Sequence, residues 1–253
     1  MHRSLGIVLP AYDPDTDRLA RYVDTLQETL APETISVELD APDERTRSAV
    51  ANLGVELHTV PYRRGKGAAV TAGFESLDTD VRCFLDADGS TPAHAAEEII
   101  ARVGDGLAVG SRRHPGSNVV GHQTVARRFL GDGFAWVARR LLAADLYDYQ
   151  CGAKAITAEA WTDVRDHLYE PGFAWDIELV AMTAALGYDV REVPIEWEDA
   201  PGSTVDPLRT AVDMGRALVA ARHRAKRVTN SRLHDALATG REEPVALVER
   251  EEQ

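Results

Sequence analysis

Two aspartates separated by one residue, Asp86 and Asp88, follow the apolar run at residues 81–85. If that run is a strand, the two carboxylates lie where the chain turns at its end, and they can surround one cation. Oxygen ligands of this kind suit Mg²⁺ or Mn²⁺, with substrate phosphates completing the coordination shell. An acidic surface turn would use the same residues. The pattern therefore predicts a metal site only if other phosphate-binding residues lie nearby.

Arginine is the second residue type whose placement matters. The chain has 28 Lys and Arg residues against 41 Asp and Glu, a formal net charge of −13 at pH 7. An acidic surface repels phosphate chains, which excludes nonspecific nucleic-acid binding. A phosphate ligand must instead meet a local group of arginines, whose planar guanidinium suits bidentate contacts. Arg112, Arg113, Arg127 and Arg128 form such a group in the sequence.

Strands that alternate with helices must position these side chains. Hydrophobic periodicity predicts strands at residues 4–9, 34–39, 55–60 and 81–85, and helices at residues 17–30, 43–53 and 68–77. This alternation indicates βαβ units and a parallel sheet, which binds ligands at the carboxyl ends of its strands. We therefore expect an α/β fold in which residues 1–110 form a Rossmann-like nucleotide-binding half.

The second half of the chain is less regular. The sequence predicts a strand at 107–110, helical stretches between 119 and 142 interrupted by Gly131 and Gly133, a helix at 177–186, a strand at 190–197 and a long helix at 207–227. No internal repeat or low-complexity linker divides the chain. We expect one domain over residues 1–228, followed by a polar, acidic and mobile tail at 229–253.

The compartment is indicated by what the sequence lacks. No uncharged apolar run approaches 18 residues, so we expect no transmembrane helix. The N-terminus reaches Pro10 and Asp13 before a signal-peptide core could form. Cys83 and Cys151 cannot make a disulfide framework and have no metal-ligand spacing. These observations favour the cytoplasm.

Four segments of the first half occur together in order: Leu9-Pro10-Ala11-Tyr12, Asp40, Arg64-Gly65-Lys66-Gly67 and Asp86-Ala87-Asp88-Gly89. This series resembles the family 2 glycosyltransferases of the GT-A fold. Later segments, among them Gly110-Ser111-Arg112, Gln150-Cys151-Gly152 and Asp176-Ile177-Glu178, are similar to the dolichyl-phosphate glucosyltransferase subgroup, near relatives of dolichyl-phosphate mannose synthases. The resemblance spans roughly residues 4–225.

The resemblance implies a mostly parallel central sheet flanked by helices, with residues 111–228 as the acceptor half. It implies nucleotide-sugar contacts from Pro10, Ala11, Tyr12, Asp13, Asp40, Lys66, Asp86 and Gln150. Asp86 and Asp88 would hold Mg²⁺ or Mn²⁺, and Arg112, Arg127 and Arg128 would hold the acceptor phosphate. Asp88, Arg112, Arg128 and Asp176 would take part in the transfer. Asp176 and Glu178 could contact sugar hydroxyls, orient an arginine, or simply favour a helix N-terminus.

The chain departs from the family pattern in three places. Asp13-Pro14-Asp15 stands where Asn-Glu usually follows Pro-Ala-Tyr, and Asp40-Ala41-Pro42 keeps only one Asp of the usual Asp-Asp-Gly-Ser. The usual Gly-Ser-Lys is Gly202-Ser203-Thr204, which removes a cation that could contact phosphate. The first two changes affect nucleotide contacts, and the third affects donor or acceptor binding.

A phosphate acceptor also agrees with elementary chemistry. Transfer to a hydroxyl needs a general base, whereas a phosphate monoester is already ionised at pH 7 and needs cations instead. The resemblance implies inverting transfer of a hexose, glucose from UDP-glucose, to dolichyl or polyprenyl phosphate, and we expect the enzyme to work at the cytoplasmic face of the membrane. Peripheral membrane contact could come from Phe129, Phe134, Trp136, Val137, Leu141 and Leu142, interleaved with Arg139 and Arg140. A helix packed in the core would have the same pattern.

Three other functions stay open from the sequence. A GDP-mannose donor would use the same residues, because the sugar is chosen by pocket shape. A sugar-phosphate nucleotidyltransferase shares the α/β layout, but it needs a Gly-rich loop with Arg after the first strand, where this chain has Pro10-Ala11-Tyr12. A non-catalytic GT-A partner subunit would not need the intact Asp86-Ala87-Asp88.

The low lysine content and the excess of acidic residues lead to a prediction about how salt affects stability. Lys66, Lys154 and Lys226 are the only lysines in this acidic chain. That composition resembles proteins of salt-loving organisms, although an acidic protein from a GC-rich genome could share it. If the surface is a halophilic adaptation, the melting temperature should rise between dilute buffer and molar KCl, because salt screens self-repulsion. A flat or falling melting temperature would refute it.

Overall fold

The computed structural model describes residues 3–120, 125–198, 207–229 and 245–250. Its strands are β1 (Leu5–Tyr12), β2 (Thr34–Asp40), β3 (Glu56–Val60), β4 (Val81–Leu85), β5 (Leu107–Ser111), β6 (Asn118–Val120), β7 (Ala153–Thr157), β8 (Val190–Pro194) and β9 (Glu196–Glu198). Its α-helices are α1 (Thr16–Leu30), α2 (Glu44–Ala51), α3 (Lys66–Ser76), α4 (Ala93–Ala101), α5 (Val125–Leu141), α6 (Ala158–Val164), α7 (Trp175–Ala185) and α8 (Pro207–Val228).

Seven strands form one sheet in the order β3-β2-β1-β4-β7-β5-β8. All run parallel except β7, which is antiparallel to both β4 and β5. The central strands are apolar on both faces, as Ile7, Val8 and Leu9 are fully buried, because helices cover both sides of a parallel sheet. The expected mostly parallel α/β architecture is confirmed. The sheet also joins both halves of the chain, since β7 of the second half lies between β4 and β5.

Strand β7 was not predicted, and two second-half predictions were wrong. Helix α5 continues through Gly131 and Gly133, which were expected to interrupt it. The expected strand at 190–197 is divided at Ile195, whose amide donates to the Ser111 carbonyl at 3.1 Å and whose carbonyl accepts from the Asn118 amide at 3.1 Å. β8 therefore pairs with β5 in the large sheet, while β9 pairs with β6 in a separate two-stranded sheet.

Helix α5 packs against α8, and this decides which of its apolar residues reach solvent. Leu142, just after the helix, is buried, and Phe134 and Leu141 pack against the core. Trp136 remains 53% exposed and Val137 39% exposed. The sequence pattern therefore combined residues that pack in the core with the exposed Trp136 and Val137, and the Phe129 side chain lies outside the described residues. Membrane contact stays a prediction. Among the described residues, no helix is long and apolar enough to cross a membrane.

A short segment near the C-terminus packs back onto the domain. Ala246 and Leu247 are buried, and the Leu247 amide donates to the Leu168 carbonyl at 2.8 Å. Arg250 Nη2 donates to the Tyr169 carbonyl at 2.8 Å. The expectation of a mobile tail is therefore wrong for residues 245–250. The domain boundaries themselves stay a prediction.

The carboxyl ends of β1, β2, β4 and β5 lie along one edge of the sheet, because these strands run in the same direction. β7 runs the other way and starts at this edge, with Ala153 opposite Leu85. Residues just after the parallel strands and just before β7 therefore converge. These positions include Asp86, Arg112 and Gly152.

Candidate functional site

The turn after β4 holds the two aspartates in a defined geometry. The Asp86 amide donates to the Gly152 carbonyl at 2.8 Å, which ties the turn to the segment before β7. Asp88 Oδ1 accepts the Ser90 amide at 2.9 Å, and Gly89 provides the left-handed conformation that the turn requires. Asp88 is exposed and Asp86 half-buried, so both carboxylates can be reached from solvent.

The surroundings of Asp86 destabilise its ionised carboxylate. Loss of solvent around the carboxylate raises the pKa of Asp86, Lys66 opposes the rise, and the charges of Asp88 and Asp176 add to it. A carboxylate in such surroundings gains stability from any cation that approaches it. The turn is therefore electrostatically suited to a bound cation.

A buried cluster of two lysines and one aspartate lies beside Asp86. Lys66 Nζ is 2.9 Å from Asp86 Oδ1 and 3.1 Å from Asp176 Oδ2. Lys154 Nζ is 2.5 Å from Asp176 Oδ1 and donates to the Cys151 carbonyl at 2.7 Å. Burial alone would lower the pKa of Lys66, but the charges of Asp176 and Asp86 outweigh it and raise that pKa. Lys66 is therefore a fixed positive charge at the edge of the site.

The aromatic core supports this cluster from below. Lys66 Nζ lies 4.9 Å, and Lys154 Nζ 5.5 Å, from the centre of the Phe84 ring. Phe84 packs edge-on against Trp175, the residue before Asp176, with ring centres 5.5 Å apart. Ammonium groups over an aromatic face are attracted to its electrons. The core therefore positions both ammonium groups relative to Asp176.

The two glycines around Lys66 allow close packing of the loop at residues 169–172. A Cβ on Gly65 would lie 2.6 Å from the Pro171 carbonyl oxygen, and one on Gly67 would overlap Trp175. Gly65 also has a φ of +95°, which side chains other than glycine rarely adopt. The loop is held from behind by buried Glu178, which accepts the amides of residues 169 and 170 and pairs with Arg224. Glu178 therefore orients an arginine and a loop.

Arg112, at the end of β5, is held by a buried carboxylate. Its Nε is 2.7 Å and its Nη2 3.0 Å from the two oxygens of Asp148, and its guanidinium carbon lies 5.5 Å from the Trp197 ring centre. Nη1 makes no hydrogen bond to any described residue. Asp148 Oδ1 also accepts the Gln150 amide at 3.1 Å, and the Asp148 amide donates to Glu192 at 2.8 Å. Arg112 lowers the pKa of Asp148 to about 2, against burial that would raise it. One buried carboxylate therefore positions Arg112 and the Gln150 backbone together.

The ends of β1 and β2 form the other side of the edge. Tyr12 is 51% exposed and carries the Arg63 guanidinium 4.3 Å from its ring centre. Asp13 and Ala41, directly after the two strands, both have positive φ angles, a strained conformation for residues with a side chain. They line a cavity of about 180 Å³ with Tyr12, Pro42, Asp43 and Thr46. Its exposed aromatic wall suits a flat ring.

Asp40 is buried at the end of β2 and binds the loop that follows β3. Its Oδ2 accepts the amides of Arg64 at 2.7 Å and Gly65 at 3.1 Å, and its Oδ1 accepts from Arg64 Nε at 2.8 Å. Arg64 Nη2 also reaches the buried Glu38 at 3.0 Å. Asp40 therefore connects the end of β2 to the segment that carries Lys66.

Residues 6–150 match the family model described as Glycosyl transferase family 2. This match spans more than half of the chain. The chain belongs to glycosyl transferase family 2. Its activity is that of a glycosyltransferase, as the motifs around Asp86 and Asp88 led us to expect.

Individual relatives extend the similarity beyond residue 150. Glycosyltransferase AglD of Haloferax volcanii is 29% identical over 85% of this chain, although the match covers only 36% of AglD. The chain thus spans about a third of that relative. Dolichyl-phosphate beta-glucosyltransferase of Mus musculus is 27% identical over 88% of this chain and 76% of its own length.

Two solved structures share the fold. Glucosyl-3-phosphoglycerate synthase of Mycobacterium tuberculosis, crystallised with Mn²⁺, uridine diphosphate and phosphoglyceric acid, aligns with a TM-score of 0.63 and 18% identity over 88% of this chain and 78% of that one. Mannosyl-3-phosphoglycerate synthase of Rubrobacter xylanophilus aligns with a TM-score of 0.62 and 17% identity over 98% of this chain and 80% of that one. These alignments confirm the expected GT-A fold.

Within the family 2 domain, most of the expected site residues come to one edge of the sheet. Pro10, Ala11, Tyr12, Asp13 and Asp40 lie at the ends of β1 and β2, Lys66 contacts Asp86, and Gln150 stands two residues before Gly152. Asp176 is brought to Lys66 rather than to an arginine. Arg127 and Arg128 lie in α5, but their side chains are outside the described residues, as are Gly202, Ser203 and Thr204. The roles of all these residues stay proposals.

Some residues of this family 2 site were not assigned a role from the sequence. Lys154 binds Asp176, and Asp148 binds Arg112. Glu192 accepts the amides of residues 147 and 148, and Arg64 binds Asp40. One signal was available: only three lysines occur in the chain, and two of them meet at Asp176. The rarity of lysine indicated that Lys66 and Lys154 could matter, but it did not predict that both contact Asp176.

Gly152 leads to a prediction, because a side chain there would collide with the turn that carries Asp86 and Asp88. A Cβ on Gly152 would overlap the Asp86 carboxylate, which Lys66 already holds. Gly152→Ala should therefore displace Asp86 and lower the transferase rate about 10- to 100-fold, the usual cost of disturbing the residues that orient a metal ligand. Steady-state kinetics at saturating metal would measure this.

The matched control is Gly215→Ala in α8, where a Cβ meets no atom within 4 Å. It should keep full activity and gain about 0.5–1 kcal/mol of stability, because alanine is the better helix former. Full activity of Gly152→Ala would mean that Asp86 has no defined position in the working site.

Proposed function

We propose that this family 2 enzyme transfers glucose from UDP-glucose to dolichyl phosphate or a similar polyprenyl phosphate. The observation that carries the proposal is similarity over 88% of the chain to relatives named dolichyl-phosphate beta-glucosyltransferase. The geometry supports it, since a carboxylate pair and an oriented arginine share one edge of the sheet. An oxygen of the acceptor phosphate forms a bond to the anomeric carbon while the bond from that carbon to UDP breaks, and the configuration inverts.

The donor side of the reaction belongs to the ends of β1, β2 and β4. Uridine would occupy the cavity beside Tyr12 and Asp13, with Asp40 fixing the loop that borders it. The diphosphate would then extend toward Asp86 and Asp88, where Lys66 supplies a positive charge. Pro10, Ala11 and Gln150 would complete the contacts to the nucleotide sugar.

The two carboxylates after β4 are ligands that suit the proposed metal ion. Within the described residues, no group of three or more His, Cys, Asp or Glu side chains could hold a metal by itself. Asp86 and Asp88 therefore fit a cation such as Mg²⁺ or Mn²⁺, which takes one or two carboxylates together with substrate phosphates. When bound, this cation supplies charge stabilisation for the departing diphosphate. The chain's own contribution is to hold the Asp86 backbone through the Gly152 carbonyl and the Asp88 carboxylate through the Ser90 amide.

The acceptor side would be built around Arg112. Asp148 leaves its Nη1 for a phosphate oxygen, and Arg127 and Arg128 would add further contacts from α5. Each cation offsets the repulsion between the acceptor phosphate and the donor diphosphate. No general base is required, because the attacking oxygen is already ionised.

Contact with the membrane would come from an aromatic and basic patch, which we define as Trp136, Val137, Arg139, Arg140 and Tyr147. Arg140 lies 4.2 Å from the Trp136 ring centre, and Arg139 lies 5.0 Å from that of Tyr147. Aromatic side chains next to guanidinium groups suit the boundary between lipid headgroups and acyl chains. The patch would bring the site to the cytoplasmic face, where a lipid-linked acceptor can reach it.

The decisive experiment offers labelled UDP-glucose, GDP-mannose and other nucleotide sugars to the purified protein with dolichyl phosphate and Mg²⁺ or Mn²⁺. Glucose should pass into the organic-extractable lipid fraction, with β configuration by NMR. Transfer of mannose from GDP-mannose alone would assign the other donor.

A second experiment tests the membrane contact. It compares how the wild-type protein and Trp136→Ala bind to phosphatidylcholine vesicles with and without anionic lipid. Equal sedimentation of both proteins with the vesicles would contradict the contact.

Arg128 gives a prediction that separates the two sides of the site. Arg128→Ala should impair dependence on the lipid phosphate far more than nucleotide affinity, because we assign Arg128 to the acceptor side on the basis of the family resemblance. Losing a charge-assisted phosphate contact costs about 1.5–3 kcal/mol, or roughly 10- to 150-fold in rate. Acceptor kinetics and calorimetry with UDP would measure the two effects. Collapse of UDP affinity with unchanged acceptor dependence would move Arg128 to the donor side.

A further inference from the structure

Lys66 uses the carboxylate that a divalent cation would need. Its Nζ lies 2.9 Å from Asp86 Oδ1, a normal ion-pair distance, and its side chain is only 11% exposed. Asp86 is one of two carboxylates proposed above as metal ligands. An ammonium this close to Oδ1 repels a second cation and occupies part of its approach. The two cations therefore compete for Asp86.

Lys66 also has a second partner that stays in place. Asp176 Oδ2 is 3.1 Å from its Nζ, while the other Asp176 oxygen is held by Lys154 at 2.5 Å. Lys154 in turn is fixed by the Cys151 carbonyl. Asp176 is therefore anchored without help from Asp86, and Lys66 can leave Asp86 while remaining bound to Asp176.

The charges of the cluster indicate when that exchange is favourable. Asp86, Asp88 and Asp176 are opposed by Lys66 and Lys154, so the cluster is nearly neutral as it stands. A metal ion arriving alone would meet Lys66 and repel it. A metal ion arriving with a diphosphate brings anionic oxygens that can take the ammonium, so that no charge is left without a partner.

We propose that Lys66 is a stand-in cation, which neutralises Asp86 in the free enzyme and turns to the donor diphosphate when the metal–nucleotide complex binds. The proposal rests on the metal and donor assigned under the proposed function. Its consequence is that metal and nucleotide bind cooperatively, and by thermodynamic linkage each raises the affinity for the other. Asp176 acts as a positioning residue, since it holds Lys66 in both states.

Replacement of Lys66 should move two affinities in opposite directions. In Lys66→Met the stem remains and the charge is lost, so Mn²⁺ alone should bind about tenfold more tightly or better. UDP in the presence of Mn²⁺ should bind about tenfold more weakly or worse, because a charge-assisted contact to the diphosphate is gone. A purely structural role for Lys66 would weaken both affinities together.

The experiment titrates Mn²⁺ by electron paramagnetic resonance without nucleotide, and UDP by calorimetry with saturating Mn²⁺. Lys226→Met, at an exposed lysine in the last turn of α8, is the matched control and should change neither affinity. Lys66→Arg should keep the weak Mn²⁺ binding of the wild type. If Lys66→Met does not fold, Lys66→Gln takes its place in both titrations.

Mn²⁺ affinity that stays the same or falls in the Lys66 variant would overturn the proposal, as would unchanged UDP affinity. Failure of the proposed function looks different, because the wild-type protein would then bind GDP or another nucleotide in place of UDP. The Mn²⁺ titration needs no nucleotide and decides the competition at Asp86 in that case as well.

Discussion

Asp88→Asn should fold like the wild-type protein and lose transferase activity by a factor of a hundred or more. The carboxylate is exposed, and its one described hydrogen bond, from the Ser90 amide, can be accepted equally by an asparagine oxygen. The amide carries no charge, however, and it binds Mg²⁺ poorly next to a diphosphate. Because disturbing only the partners of a metal ligand costs about 10- to 100-fold, loss of the ligand itself should cost more.

The matched control is Asp24→Asn, at an exposed position of α1, which removes the same charge far from the carboxyl edge. It should retain full activity. Initial rates over a range of Mg²⁺ and Mn²⁺ concentrations would compare the two variants, with melting temperature as the test of folding. Normal turnover by Asp88→Asn, or undiminished wild-type activity in EDTA, would rule out the metal assignment.

Asp148→Ala should be the most destabilising single change near the site. It leaves the Arg112 guanidinium without its bidentate partner and removes the acceptor of the Gln150 amide. Removal of one partner from a buried ion pair costs about 3–5 kcal/mol. Urea denaturation would measure this loss in the free energy of unfolding, and the KM for the lipid phosphate should rise because Arg112 is no longer oriented.

The exposed pair between Arg3 and Asp105 provides the comparison, since it joins the same residue types at 3.3 Å. Asp105→Ala should cost at most about 1 kcal/mol, as exposed pairs contribute little. If Asp148→Ala does not fold, Asp148→Asn keeps an acceptor and allows the measurement. A loss below about 1 kcal/mol in Asp148→Ala would show that Arg112 finds another partner.

The pH dependence of the Asp148 variants follows from the lowered pKa. Burial would raise the pKa of Asp148, but Arg112 lowers it from the ordinary value of 3.8 to about 2 in the folded protein. Its ionised form is favoured by folding, so its contribution to stability is complete above the ordinary value and is lost as the pH falls toward 2. The difference in unfolding free energy between wild type and Asp148→Asn should therefore be constant near neutral pH and narrow below about pH 4.

The carboxyl edge of the site was determined largely by local sequence. Strand β4 is a buried apolar run, and Asp86 and Asp88 follow it directly, so their place at a strand end could be predicted from a few neighbouring residues. The same holds for Tyr12 at the end of β1 and Asp40 at the end of β2. These features are readable because hydrophobic periodicity is a short-range property of the chain.

Tertiary structure alone decided which charges meet. Asp176 is 110 residues from Lys66 and 22 residues from Lys154, and Asp148 is 36 residues from Arg112. No periodicity links such pairs, because their partners lie on elements that are distant in the sequence and meet only in the folded chain. The antiparallel direction of β7 brings Gly152 to Asp86 and Lys154 to Asp176. The sequence by itself thus determined the strand ends and their carboxylates, whereas folding determined the cations that hold them, since ion pairing depends on distance in space.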